Sequence, residues 1–370
     1  MFLYQRAMLA VARSTGLALV LGLAQGSNGF SSVQAAPLDG FLEASPYLSP
    51  RTGFFEIAID AMNSTLDVLK LRPEGLADDT VGNLDGLHLR AGYALTNDLW
   101  LDGSLFHRKL TYAGIDPELT TWQIGAQYRF RLAPEQYRSD AAVRVSAWGS
   151  HAGQIAATRG QLQSRPVFRL LDGLSVDRPA DRQIQGDLLW TWWLGSSALS
   201  AFVGAGLGEV SVRSVTARVG SVSRRWIDGR FVNDSGQVDN LLAGLVEQLG
   251  LDAELDSINY STRFTHAGLG LRIPLGDWSL RGAYQLFSIR RSTVDDLIAA
   301  RDRDNATYTL NHTLLGEVSY RFAGRARIFV RGQAMSNQFL AEMPLLYNSL
   351  TSRRFGERYG IVSLGLIMGF

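Results

Sequence analysis

Much of the chain alternates apolar and polar side chains with a period of two. Between 120 and 132, Trp122, Ile124, Ala126, Tyr128, Phe130 and Leu132 share one face, while Gln123, Gly125, Gln127, Arg129 and Arg131 share the other. That period belongs to a β-strand whose two faces meet different surroundings. The same rhythm predicts strands at 53–63, 86–96, 99–111, 120–132, 139–151, 182–194, 198–212, 259–275, 277–290, 307–322, 325–336 and 360–370, twelve in all. The glycine-rich 198–212 leaves its facing open.

The connections between these strands alternate in length. Those at 97, 133–138, 195–197, 276 and 323–324 are short, and those at 64–85, 112–119, 152–181, 213–258, 291–306 and 337–357 are long. A soluble sandwich has no reason to alternate in this way, whereas a membrane barrel with short turns at one rim and long loops at the other does. The expectation is an all-β fold: a transmembrane antiparallel β-barrel, of twelve strands by this count of segments, with short periplasmic turns and long extracellular loops. Aromatic pairs close several apolar faces, as at Tyr128 and Phe130, Trp190 and Trp192, and Tyr320 and Phe322, which matches an interfacial girdle. One long loop, near 215–258, is expected to be partly helical. Leu241, Leu242, Leu245, Val246 and Leu249 cluster on one side of a helix over 238–255, although Gly244 and Gly250 oppose it. That segment either folds into the mouth or packs over the rim.

The start of the chain follows another pattern. Arg6 and Arg13 precede the apolar run Leu17–Ala24, and Val33-Gln34-Ala35 offers a small-residue cleavage site. This is the layout of a secretory signal over 1–35, too short in its apolar run to anchor in a membrane. Residues 36–52 then read as a periplasmic lead-in and 53–370 as the barrel. Composition adds little. Hydrophobic content is 46%, net charge +1 and cysteine absent. There is no basic field to draw nucleic acid. Half of each barrel strand faces water, so a membrane barrel does not raise overall hydrophobicity as helical spans do.

The last predicted strand has Phe370, Met368, Leu366 and Leu364 on one apolar face and ends in Phe. Here the chain resembles the outer-membrane β-barrel proteins of Gram-negative bacteria, porins among them. The resemblance covers 53–370 in architecture and only this strand in motif, and it identifies no subfamily. It implies an outer-membrane location after export through the inner membrane. It also implies handling by periplasmic chaperones and recognition of the terminal strand by the barrel-assembly machinery.

The second face of each strand lines the interior. It carries Arg90, Arg108, Arg129, Arg131, Arg144, Arg272, Arg281, Arg321, Arg327 and Arg331, against the acids Glu56, Asp60, Asp102, Asp187 and Glu317. Dry, unpaired arginines would be costly. They either pair with the acids as a packed ladder or face a wet lumen, where rings of Arg favour anions. The expected function is passive, porin-like transport of small polar, anionic solutes. Two alternatives stand beside it. One is a lipid-modifying hydrolase; none of His88, His107, His151, His266 and His312 has a Ser two positions away on its own strand face, so no catalytic residues are assigned and the chain is not read as an enzyme. The other is a structural, adhesion or export-associated barrel acting through its outer loops. Gly204-Ala205-Gly206-Leu207-Gly208 lacks the spacing of a nucleotide fingerprint and reads as close backbone packing. No spacing suits a metal, and no cofactor is expected. Arg224-Arg225, Arg290-Arg291, Arg301, Arg303 and Arg353-Arg354 in or near the outer loops suit lipopolysaccharide phosphates.

Overall fold

The computed structural model describes residues 41–45, 50–62, 81–112, 117–130, 139–158, 171–220, 222–227, 230–233, 235–240, 244, 255, 257–300, 309–337, 344–347 and 359–370. All twelve predicted strands are present. They are β1 (Gly53–Met62), β2 (Val81–Ala94), β3 (Leu99–Tyr112), β4 (Glu118–Phe130), β5 (Ser139–Ala152), β8 (Ala180–Leu194), β9 (Ser197–Ser211), β13 (Tyr260–Leu275), β14 (Trp278–Arg291), β15 (Leu310–Ala323), β16 (Ala326–Met335) and β17 (Tyr359–Gly369). Each pairs antiparallel with its neighbour, and β1 pairs with β17 to close the barrel. The amide of Gly53 donates to the carbonyl of Phe370 and the amide of Phe370 to that of Gly53, so no edge is left at the seam.

Alternation decides which side chains face out. Ile57, Ile59, Leu105, Ile124, Val145, Ile184, Leu188, Val203, Leu269, Leu314, Val330 and Leu364 stand exposed on the outer wall, as a wall against hydrocarbon requires. The glycine-rich strand resolves in the same way, with Ser200 and Phe202 inside and Leu199 and Val203 outside. Tyr93 stacks on Phe370, Tyr128 meets Phe130, Trp190 meets Trp192, and Trp278 meets Tyr320, with ring centroids 4.8 to 6.4 Å apart. All four pairs lie at the rim that carries the connections 95–98, 195–196, 276–277 and 324–325. They form an aromatic belt at that short-turn rim.

The opposite rim holds structure that the sequence pattern does not predict. Five short strands, β6 (Gln154–Thr158), β7 (Gly173–Asp177), β10 (Ser214–Val219), β11 (Val222–Ile227) and β12 (Arg230–Val232), form a second sheet in the order β12-β11-β10-β7-β6. Val215, Ala217, Trp226, Phe231, Leu255 and Ile258 supply its core. Of the helix expected at 238–255, Asn240, Gly244 and Leu255 are described and helical, and Leu255 packs under this sheet. The remainder lies largely outside the described residues. Two pieces reach the mouth: helix α1 (Val294–Ala300) and a single helical turn, Pro344–Leu346. Val294, Ile298, Leu345, Leu346 and Tyr347 join Leu110, Trp148, Phe264 and Phe287 in an apolar cluster inside this end of the barrel. Polar anchors fix the turn. Asp181 accepts the amide of Leu345 at 3.2 Å, and the Tyr260 hydroxyl faces the carbonyls of Pro344 and Tyr347 at 2.6 and 2.7 Å.

Candidate functional site

Below the apolar cluster the lumen is charged, and strand register explains how. Successive register partners on eight neighbouring strands form one row: Arg272 on β13, Arg281, Glu317, Arg331, Ser363, Asp60, Gly86 and Arg108 on β3. Because barrel strands tilt, such a row climbs the wall. It begins near the short-turn rim at Arg272 and ends near the long-loop rim at Arg108. Arg331 Nε and Nη2 donate to Glu317 Oε2 at 2.9 and 2.8 Å, and Ser363 Oγ donates to Asp60 at 2.6 Å. Arg108 lies 3.5 Å from Asp60 across the bare Gly86.

A second cluster grows beside this row. Glu56 and Asp60 share the inner face of β1 with Ala58 between them, and His88 stands opposite Ala58. The imidazole therefore reaches both carboxylates, with Nδ1 2.8 Å from Asp60 and Nε2 3.0 Å from Glu56. Glu56, fully buried, also accepts Arg331 Nη2 at 3.1 Å and lies 3.9 Å from Arg90.

Two further pairs form across an intervening glycine. Asp102 on β3 takes a bidentate fork from Arg144 on β5 at 2.6 and 2.8 Å, passing over Gly125 of β4. On β9, Gly204 lies between Asp187 and His266, whose Oδ1 and Nε2 are 2.8 Å apart. A Cβ at Gly125 would sit 2.0 Å from the Arg144 guanidinium, and one at Gly204 would sit 2.1 Å from Asp187. Close packing thus accounts for the Gly204–Gly208 run. Replacing Gly125 by Ala is expected to lower stability by about 1–3 kcal/mol through overpacking, read as an earlier urea midpoint in detergent. The same change at Gly282, where a Cβ would meet nothing within 4 Å, should leave the midpoint in place.

The lumen also holds a stretch of the chain itself. Residues 36–52 read as a lead-in outside the barrel, yet 41–45 are buried within it. Phe41 packs on Ala283 and Leu315; Leu42 and Ala44 pack on Ala142, Leu189 and Phe202. Gln127 Nε2 donates to the carbonyls of Glu43 and Ala44, and the amide of Ala44 donates to Thr191 Oγ1 at 2.8 Å. Arg129 Nη1 donates to Ser45 Oγ at 2.7 Å. Arg272 Nε donates to the Glu43 carboxylate at 3.0 Å, and Arg281 donates to the carbonyl of Phe41 and lies over its ring. The segment follows the wall from β15 round to β4, near the short-turn rim.

Of the arginines expected inside, Arg90, Arg108, Arg144, Arg281 and Arg331 are buried in the barrel with Asp102, Asp187 and Glu317 beside them. Arg129, Arg272, Arg321 and Arg327 are partly exposed towards the short-turn rim, and Arg131 lies outside the described residues. Sequence reasoning did not single out Glu43, His88, His266 or Ser363. The parity that placed the arginines was the available signal for the last three. His107 and His312 face outwards, and their imidazoles meet the hydroxyls of Thr120 and Tyr284, while Ser336 Oγ accepts the main-chain amide of His312. Arg291, among the residues read as suiting lipopolysaccharide, instead turns inwards, lies over Tyr347 and pairs with Asp295.

No protein-family model and no curated protein sequence matches the chain. Solved structures do. The translocator domain of the autotransporter NalP from Neisseria meningitidis superposes with a TM-score of 0.50 at 9% identity, over 87% of this chain and 89% of that one. The β domain of the Bordetella autotransporter BrkA gives a TM-score of 0.41 at 11% identity, over 87% and 100%. The CymD monoaromatic hydrocarbon channel gives 0.41 at 10%, over 90% and 91%. The chain has the fold of the outer-membrane β-barrels. Identities at this level carry the fold and no activity.

Proposed function

We propose that the protein is an outer-membrane channel for small polar solutes, with anions favoured, and that residues 41–45 narrow it. The observation that carries this reading is the charged row from Arg272 to Arg108, which gives a polar inner wall along the barrel while the outer wall is apolar. A barrel filled only for stability has no need of that many ions, because well-packed apolar groups serve as well or better. Arg272, Arg281, Arg321 and Arg327 near one entrance favour anions. In this reading residues 1–35 are removed after export through the inner membrane, and the barrel sits in the outer membrane of a Gram-negative bacterium. Its contacts there are lipid and lipopolysaccharide, and its assembly uses the periplasmic chaperones and barrel-assembly machinery that handle such chains. The test is a planar-bilayer recording in a salt gradient. The expected result is discrete conductance with a reversal potential displaced towards that of the anion, and a closed bilayer would sink the proposal.

The second sheet supports another reading, in which the long-loop rim binds a surface partner. Its core is separate from that of the barrel, so removing β10 to β12 would test it: conductance retained with surface binding lost favours the rim. The lipid hydrolase has less behind it, since the outward rings of His107 and His312 meet the hydroxyls of Thr120 and Tyr284.

A further inference from the structure

We propose that Arg272, Arg281, Arg321 and Arg327 form a binding site for a multivalent anion, carboxylate or phosphate, and that Glu43 is its tethered occupant. The register sets these guanidiniums against one another. Arg272 stands directly opposite Arg281, and Arg321 directly opposite Arg327. Like charges opposite one another across a ladder are destabilising unless a counter-charge is shared between them. Two of the four share one: the Glu43 carboxylate is 3.0 Å from Arg272 and 3.9 Å from Arg281. Glu317, 3.8 Å from Arg281, is already held by Arg331. Arg321 has Asp277 at 3.0 Å, out at the rim.

Arg327 is different. Its guanidinium makes no hydrogen bond and no ion pair among the described residues; the like charges of Arg321, Arg272 and Arg281 act on it, and Glu317 offsets them only in part. It shares the inner face of β16 with the buried Phe329 and Arg331. Glu43, Glu317 and Asp277 thus meet three of the four arginines and leave Arg327 without a direct counter-charge among the described residues. A guanidinium fork matches carboxylate and phosphate oxygens, and an anion with two charged ends would reach Arg327 as well as the place of Glu43. Glu43 competes from a tether, so its effective concentration is high and the anion binds the unaltered protein weakly. The inference rests on the channel reading only for the route by which the anion arrives.

Calorimetric titration of the full-length protein in detergent, at fixed chloride, tests it with pyrophosphate and with citrate as probes. Glu43→Gln is expected to tighten binding by about tenfold or more, because it removes the tethered competitor. Arg327→Gln should abolish the gain, and Arg327→Lys should keep part of it. The tighter-binding probe then identifies the ligand as phosphate or carboxylate. Glu43→Gln titrating like the unaltered protein would overturn the proposal, as would Arg327→Gln retaining full affinity. Heat-modifiable migration on gels checks that each variant is a closed barrel. A protein that binds both probes but carries no current loses the channel and keeps the site, and one that conducts without binding does the reverse.

Discussion

Glu56→Gln is expected to destabilise the barrel by about 3–5 kcal/mol, the cost of stranding a buried charge. Glu56 is fully buried and is the common partner of His88 at 3.0 Å and Arg331 at 3.1 Å, with Arg90 at 3.9 Å. Gln preserves the shape and removes the charge, so Arg331 is left with Glu317 alone and the charge shared by Arg331, Arg90 and His88 is gone from a place that water reaches poorly. Urea unfolding in lipid vesicles measures the loss. The double variant Glu56→Gln with Arg331→Met removes charges of both signs, and coupling between contacting residues should return part of the stability. A single-variant loss below about 1 kcal/mol, the size of an ordinary substitution, would mean that water screens the cluster and that it holds nothing together.

The second large effect concerns 41–45. Deleting these five residues is expected to raise single-channel conductance several-fold, because their main chain and side chains occupy the lumen near the short-turn rim. The sign of the selectivity change also follows. Glu43 leaves with the segment, Arg272 and Arg281 keep their charge, and the preference for anions should grow. Unchanged conductance after the deletion would move the constriction to the other mouth, where Leu345, Leu346 and Tyr347 pack against the wall.

What was legible in the sequence follows from what a lipid boundary imposes. Between 120 and 130 the alternation is strict because each outward side chain meets hydrocarbon, so face and strand read together. Beyond that boundary the pattern stops while hydrogen bonding continues. The second strand begins at Val81 rather than 86, and β6, β7 and β10 to β12 have no lipid-facing side to advertise them. The arginines could be assigned to the inner face by parity, but parity names no neighbour. Only register puts His88 opposite Ala58, between two acids, or sets Arg321 against Arg327. The segment Phe41-Leu42-Glu43-Ala44-Ser45 has no period at all, so composition made it a linker and only its contacts put it in the lumen.

The seam between β1 and β17 has a consequence for how the protein is made. Asp60 and Ser363 bond across 303 residues of chain, and every other pair along that seam is about as distant in sequence. Contacts of such separation form late, after the entropy of closing the largest loop has been met. Until then β1 and β17 are two open strand edges with an apolar face, the arrangement most prone to pairing with another chain. Both strands must therefore be present and still unpaired until late in assembly, whose slow step is expected to be the meeting of the barrel's two seam strands.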